Sequence, residues 1–343
     1  MVSIQSHRKD EHLSLAKKFH KEKSNAGFDQ IHFIPNTIPE ISFNDVNIST
    51  KVGSLTFDIP FYIEAMTGGS EYTGKINRQL SEIAQKLNLA MAVGSESVAL
   101  REPQLEGTFS IIKKVNPTGL KIANLSANAS IEEVEKAITL IGASAIEIHV
   151  NVAQEVVMPE GDKTFNWIKN IKKIVEAFPI PVIVKEVGFG MAHESIEKLK
   201  AVGVKYINLG GKGGTNFVQI ENFRRPSKDM NYLEDWGLTT VQSLFEAQVL
   251  PDLNYIAAGG ITSPLDVVKA LYLGADAVGI ASTILSSLID NGPEKTEMML
   301  SEWIYGIKAI FVMLGVKNIT ELRKSKIFTS TDLQNYLQQR KLK

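Results

Sequence analysis

The chain has 343 residues and no cysteine. Disulfides, thiolate nucleophiles, iron–sulfur clusters and cysteine-ligated zinc are thereby excluded. Neither sign of charge is in excess, since the formal net charge is −1, and nothing in that balance marks a nucleic acid or an anionic membrane as a partner. Long apolar runs are missing as well. The most apolar late stretch, MMLSEWIYGIKAIFVMLG at 298–315, is interrupted by Glu302 and Lys308 and reads as a packed helix rather than a membrane span. The start, MVSIQSHRKDEHL, is polar and has no signal-peptide core. A soluble, cytoplasmic protein is expected.

What the chain does have is a repeating grammar. Eight short apolar runs occur in order: FYIEAM (61–66), LAMAVG (89–94), LKIANLS (120–126), AIEIHV (145–150), PVIVKEV (181–187), YINLGG (206–211), YIAAGG (255–260) and AVGIAS (277–282). Amphipathic stretches lie between them, at 76–87, 131–142, 165–178, 193–203 and 264–274, with apolar residues three and four apart. Strands alternating with helices imply a parallel sheet with the helices outside, and eight units are the number that closes a (β/α)8 TIM barrel. An open doubly wound sheet is the alternative, but no G-x-G-x-x-G follows the first strand. With 44% hydrophobic residues, a single domain over 1–343 is the economical reading, with 1–60 as an N-terminal extension carrying a helix near 11–21 and strand-like pieces at 41–57. The polar, Gly-rich stretch 212–236 reads as a structureless lid or binding loop after the sixth strand.

Polar residues gather where such a barrel keeps its chemistry, at the C-terminal ends of the strands. The densest group is His149-Val-Asn-Val-Ala-Gln-Glu155, closing the fourth run. Alternation along an extended strand puts Glu147, His149 and Asn151 on one face, with Gln154 and Glu155 just beyond. Burying such a cluster is costly unless a ligand occupies it. The fifth run carries Lys185 inside an apolar strand, either paired with Glu186 or serving a phosphate or ring edge. Paired glycines at 259–260 and Ala281-Ser282 match the phosphate-binding end of a barrel. The N-terminal Arg8 and Lys9 are either a solvated terminus or a cationic flap over the barrel mouth, joined there by Arg101.

A specific resemblance runs through these positions. RKDEHLSLA (8–16), AMTGG (65–69), VGS (93–95), NLSAN (124–128), HVNVAQEVVMPEGD (149–162), VKEVGFG (184–190), GGKGGTNF (210–217) and AAGGI (257–261) together resemble type 2 isopentenyl diphosphate isomerase, in order and across essentially the whole chain. The resemblance implies an isomerase of isoprenoid biosynthesis that interconverts isopentenyl and dimethylallyl diphosphate by a 1,3 proton shift. It implies reduced FMN, Mg2+ and NADPH as reductant, and a homo-oligomer.

By the same resemblance Arg8 and Lys9 bind the diphosphate, with His12, Arg101 and His149 nearby. Ala65, Met66, Thr67, Ser95, Asn124, Lys185 and Thr215 surround the flavin, and Gly259, Gly260, Ala281 and Ser282 hold its phosphate. Gln154 meets the isoprenyl end, supported by His149 and Asn151, and Glu155 binds Mg2+. The chain departs from the family's usual S-G-R-G-G-T at Gly210 and Lys212, losing a hydroxyl and an arginine fork. Two other functions are compatible with such a barrel: an FMN-dependent 2-hydroxy acid oxidase or dehydrogenase, and a non-catalytic barrel that binds a phosphate ligand. The apolar helix around Trp303, Tyr305 and Phe311 is either a subunit contact or the last barrel helix.

Overall fold

The computed structural model describes residues 4–20 and 24–342, with side chains from residue 8 onward. Every one of the eight apolar runs is a strand: β1 Phe61–Ile63, β2 Met91–Ala92, β3 Lys121–Ser126, β4 Ala145–Val150, β5 Val182–Glu186, β6 Tyr206–Asn208, β7 Asn254–Ala258 and β8 Ala277–Ile280. They pair in parallel, each with the next, and β8 returns to β1 to close the barrel. Strands buried on both sides need continuous apolar sequence, which is why these runs are rich in Val, Ile and Ala. The register sets the site: Ser126 lies beside His149, and His149 beside Lys185.

The helices coincide with the amphipathic stretches and stop where local chemistry stops them. Ser130 caps Ile131–Ile141 by accepting from Glu133 N, and Gly142 ends that helix in the left-handed region. Its core stripe is Val134, Ala137 and Ile141, all fully buried. Ser263 caps Pro264–Tyr272, with proline at the first helical position, where its missing N–H costs nothing. Each such cap stabilises its helix by about 1 kcal/mol. The helix at the C-terminal end of β8, Ser282–Leu314, breaks at Gly292. In its second half Trp303 and Phe311 point into the core, whereas Tyr305 is exposed.

The N-terminal extension closes both ends of the barrel. An antiparallel hairpin, Thr50–Val52 with Leu55–Phe57, plugs the bottom: Val52, Leu55 and Phe57 pack with Tyr62, Ala90, Ile122, Ile183 and Ala277. Thr50 Oγ1 donates to Asp276 O at 2.7 Å and Asn254 Oδ1 accepts from Gly53 N at 2.9 Å. At the opposite end the helix Ile4–Lys18 lies over the mouth, several residues earlier than the sequence pattern placed it. A short strand Ile31–Phe33 pairs with Ile327–Thr329 and ties the two chain ends together. The stretch 212–236 is not structureless. It holds the helix Phe217–Arg224, capped by Asn216, and a turn at Asn231–Leu233, because Val218 and Ile220 find buried positions there.

Candidate active site

One cavity of about 320 Å³ opens at the C-terminal mouth of the barrel. Its walls combine the N-terminal helix (Arg8, Lys9, His12), the end of β4 with the segment beyond it (His149, Asn151, Gln154, Glu155), Lys185, and the glycine-rich ends of β6 and β7. Cations far away in sequence are thus brought onto the His149–Glu155 segment. A smaller depression continues from it past Gly213, Gly214, Gly260 and Ser282.

The segment after β4 is held by its own amides. Asn151 is buried, and its Nδ2 donates to Glu155 Oε1 at 2.9 Å and Gln154 Oε1 at 3.2 Å. Asp162 N donates to the other Glu155 oxygen at 2.7 Å. Gln154 Nε2 donates in turn to Glu221 Oε1 at 2.9 Å, and His12 Nε2 lies 3.1 Å from the same oxygen. Burial alone raises a carboxyl, but at Glu221 the contacts with His12, Gln154 and Arg224 outweigh it and bring the group down to about 2. Gln154 therefore sits between a neutral amide and a fixed anion, with its amide orientation determined.

The cationic side carries an unmet demand. Among the described residues Arg8 Nε is buried without a partner, and Arg8 Nη1 is 3.6 Å from Glu160. Lys9 Nζ donates to Ser95 O at 3.2 Å; burial, with Arg8 alongside, pulls its ammonium down to about 8. An anion in the mouth would satisfy both. Arg224 braces this roof, reaching Glu11 of the N-terminal helix at 3.0 Å, Glu160 at 2.7 Å and Glu221 at 2.5 Å.

On the opposite wall the backbone comes close enough to cradle a ligand. Gly259 has φ +104°, and a Cβ on it would lie 1.9 Å from Gly211 O, so only glycine fits. Lys185 is buried at the end of β5. Burial opposes its charge, but Glu64, Glu147 and Glu186 outweigh that and raise it. Glu186 is not its simple salt-bridge partner, since one Glu186 oxygen accepts the N–H groups of Gly188, Phe189 and Gly190.

The FMN-dependent dehydrogenase family matches residues 95–329. The chain is 51% identical to the isopentenyl-diphosphate delta-isomerase of Latilactobacillus sakei subsp. sakei (strain 23K), over 99% of this chain and 98% of that one. It is 46% identical to the enzyme of the same name from Lacticaseibacillus paracasei, over the same shares. The chain belongs to the isopentenyl-diphosphate delta-isomerase family. The recombinant flavin-binding domain of baker's yeast flavocytochrome b2 superposes with a TM-score of 0.69 at 19% identity, covering 94% of this chain and 87% of that one. A mandelate oxidase variant gives 0.63 at 14%, covering 94% and 91%. Those two are likenesses of fold.

Against this family background the expected site residues divide cleanly. Arg8, Lys9, His12, Ala65, Met66, Ser95, Asn124, His149, Asn151, Gln154, Glu155, Lys185, Thr215, Gly259, Gly260, Ala281 and Ser282 all line the cavity. Two do not. Thr67 is buried behind the wall, where Oγ1 meets Asn77 Oδ1 at 2.5 Å and Asn77 Nδ2 donates to Thr67 O at 3.2 Å. Arg101 is exposed at the end of the short helix Ser97–Arg101. Lys212 turns to Asp235, 2.9 Å away, which engages the charge that replaces the arginine fork.

Sequence reasoning missed Glu64 and Glu221. Glu64 lies just past β1 and lines the cavity; a carboxylate inside the run FYIEAM was a visible signal. Glu221 lies in the helix that the loop reading overlooked, with only its three-residue spacing to Arg224 as a hint.

Proposed function

We propose that this chain interconverts isopentenyl diphosphate and dimethylallyl diphosphate by a 1,3 proton shift, assisted by reduced FMN and Mg2+ and served by NADPH as reductant. The observation that carries this reading is the convergence of Arg8, Lys9 and His12 on the His149–Glu155 segment in one cavity. We take the protein to be a single-domain cytoplasmic homo-oligomer; among the described residues no helix is long and apolar enough to cross a membrane.

The residues present fit each group. The close-packed glycines of β6 and β7, with Ala281 and Ser282, suit a phosphate that backbone N–H groups cradle, and Lys185 with Ala65, Met66, Ser95, Asn124 and Thr215 suits the ring and ribityl chain. When bound, reduced flavin supplies the atoms that donate and take the shifted proton. Glu155 offers carboxylate oxygens near the cationic mouth, and Mg2+ commonly takes one or two carboxylates plus substrate phosphates. NADPH is assigned by resemblance alone.

The chain's own work is to bind and orient. The unpartnered Arg8 Nε and the buried Lys9 ammonium attract the diphosphate and hold its charge away from the alkene, with His12 beside them. A glutamine amide is a poor acid, so Gln154 does not supply the proton; held between Asn151 and Glu221, it fixes where the alkene lies. The anionic Glu221 behind it favours positive charge developing on the carbon skeleton. The roof formed by Arg224 and the N-terminal helix keeps water from that carbon. Anaerobic incubation of isopentenyl diphosphate with the protein, pre-reduced FMN and Mg2+ tests the reading; dimethylallyl diphosphate is the expected product, and its absence would sink the proposal. The 2-hydroxy acid alternative rests on the FMN-dependent dehydrogenase match over residues 95–329 and on likeness of fold, whereas the isomerases match at 51% and 46% over nearly the full length.

A further inference from the structure

At the cavity floor lies a set of buried polar groups, and to four of them, Tyr62, Glu64, Glu147 and Asn208, the isomerase reading gives no task. Tyr62, Glu147 and Asn208 are fully buried, and Glu64, Asn124 and Lys185 nearly so. Tyr62 Oη is 2.9 Å from Glu64 Oε2 and 3.0 Å from Glu147 Oε1. Asn208 Nδ2 donates to Glu64 Oε2 at 2.7 Å and also reaches Glu147 Oε1 at 3.3 Å and Tyr62 Oη at 3.2 Å. Asn124 Nδ2 donates to Glu147 Oε2 at 3.0 Å, while Asn124 Oδ1 faces His149 Nδ1 at 2.9 Å. The neighbouring strand β8 has glycine beside the carboxyl, where a Cβ on Gly279 would lie 2.2 Å from Glu64 Oε2.

Counting hydrogens decides the state of this group. A phenol has one hydrogen, so Tyr62 donates to one carboxylate oxygen only. Its contact with the second is oxygen against oxygen unless that carboxyl brings a proton of its own. Charge points the same way. The ionisable neighbours are Lys185 and Glu186 from β5, Glu96 beyond β2, and Lys9 and His149 above. Glu186 is occupied by backbone N–H groups, and Glu96 is itself buried, with burial pushing its carboxyl well up. Among the described residues Lys185 is then the one cation close to both carboxyls, enough for one anion and not for two.

We propose that Glu64 and Glu147 share a single proton at the cavity floor, and that through Asn124 this pair fixes His149 as a neutral imidazole with its hydrogen on Nδ1 and a bare Nε2 toward the cavity. Glu147 accepts from the Asn124 amide nitrogen, so Asn124 turns its oxygen to His149, and that oxygen needs a donor. Burial, with Lys185 and Lys9 close by, brings the His149 imidazole down to about 3, so its single hydrogen stands on Nδ1. His149 is then an acceptor in the cavity rather than a cation for the diphosphate. Burial and Glu64 raise Glu147 to about 8 against Lys185, and the pair keeps its proton at neutral pH. Glu64 and Glu147 are positioning residues, and the assignment stands whether or not the isomerase reading does.

The test is spectroscopic and needs no substrate. In the full-length protein labelled with 15N-histidine, with His149→Asn to assign the signal, His149 is expected neutral with a protonated Nδ1 and bare Nε2 down to about pH 5. A cationic His149 at neutral pH, or a hydrogen on Nε2, would overturn the proposal. Infrared difference spectra of wild type against Glu147→Gln should show one protonated-carboxyl band at neutral pH that is lost as pH rises through about 8. Glu64→Gln should remove the same single band, since one proton serves both residues, and it carries the test alone if Glu147→Gln does not fold. Glu147→Gln still presents a carbonyl to Asn124 and keeps the His149 tautomer, whereas Glu147→Leu releases Asn124 and mixes it. No band difference in either variant, or two bands lost in the double variant, would show that the proton is not shared.

Discussion

Gln154 Nε2 donates to Glu221 Oε1 across 2.9 Å, joining the segment after β4 to the helix Phe217–Arg224. The same Glu221 oxygen lies 3.1 Å from His12 Nε2 on the helix over the mouth. One carboxylate therefore orients the amide proposed to meet the alkene and contacts the roof above it. Removing its charge with Glu221→Gln should lower turnover by about 100-fold with flavin content unchanged, as should Gln154→Ala. Steady-state kinetics beside flavin absorbance checks this. A loss of flavin that matches the loss of turnover would instead assign these residues to cofactor retention.

Lys9 gives a pH dependence with a defined sign. On the proposed function its ammonium is the form that attracts the diphosphate, and burial with Arg8 alongside brings it down to about 8. Below that pH the charge is present; above it, the charge is lost, so kcat/KM should fall as pH rises through about 8. Lys9→Arg keeps a cation and should move this limb upward, a result that separates it from the loss of the proton on Glu147 in the same range. Lys9→Ala should raise KM about 10- to 100-fold, as expected for a lost charged hydrogen bond. An unchanged KM would mean that Lys9 does not hold the diphosphate.

How far the sequence reached depends on whether a residue's partner lies near in period or far in space. The eight strands were legible because burial on both faces forces continuous apolar runs, and the His149–Glu155 cluster was legible because polar groups ending such a run have no place in a core. The hairpin that plugs the barrel was visible only as strand-like pieces, since its role depends on meeting Tyr62 and Ala277 across the fold. Thr67 and Arg101 were placed by motif position, which does not tell that the Thr67 hydroxyl meets Asn77 and that Arg101 is exposed, both away from the cavity lining. Glu221 stayed hidden because a short polar helix with buried Val218 and Ile220 looks like a loop in sequence.

Asn151 supports Glu155 through the 2.9 Å bond to Oε1. Partners that orient a metal-binding carboxylate typically govern 10- to 100-fold of metal affinity. On the proposal that Glu155 holds Mg2+, Asn151→Ala should raise the Mg2+ concentration needed for half-maximal activity by about that factor, and Glu155→Gln by at least as much. A Mg2+ titration at saturating substrate measures it, and a turnover loss that Mg2+ does not restore would place Asn151 on Gln154 rather than on the metal.

Gly259 and Gly274 form a matched pair for separating backbone strain from loss of space. Both have positive φ, +104° and +107°, so alanine at either costs about 1–2 kcal/mol in backbone strain. Only at Gly259 does a new Cβ meet backbone, 1.9 Å from Gly211 O; at Gly274 nothing lies within 4 Å. Gly259→Ala adds overpacking of about 1–3 kcal/mol and pushes apart the chain ends of β6 and β7 that would cradle the phosphate. It should melt several degrees below Gly274→Ala, by roughly 2–4 °C per kcal/mol, and purify with less FMN. Equal melting temperatures and equal flavin content in the two variants would mean that β6 and β7 can separate freely, and the cradle would then not be a rigid one.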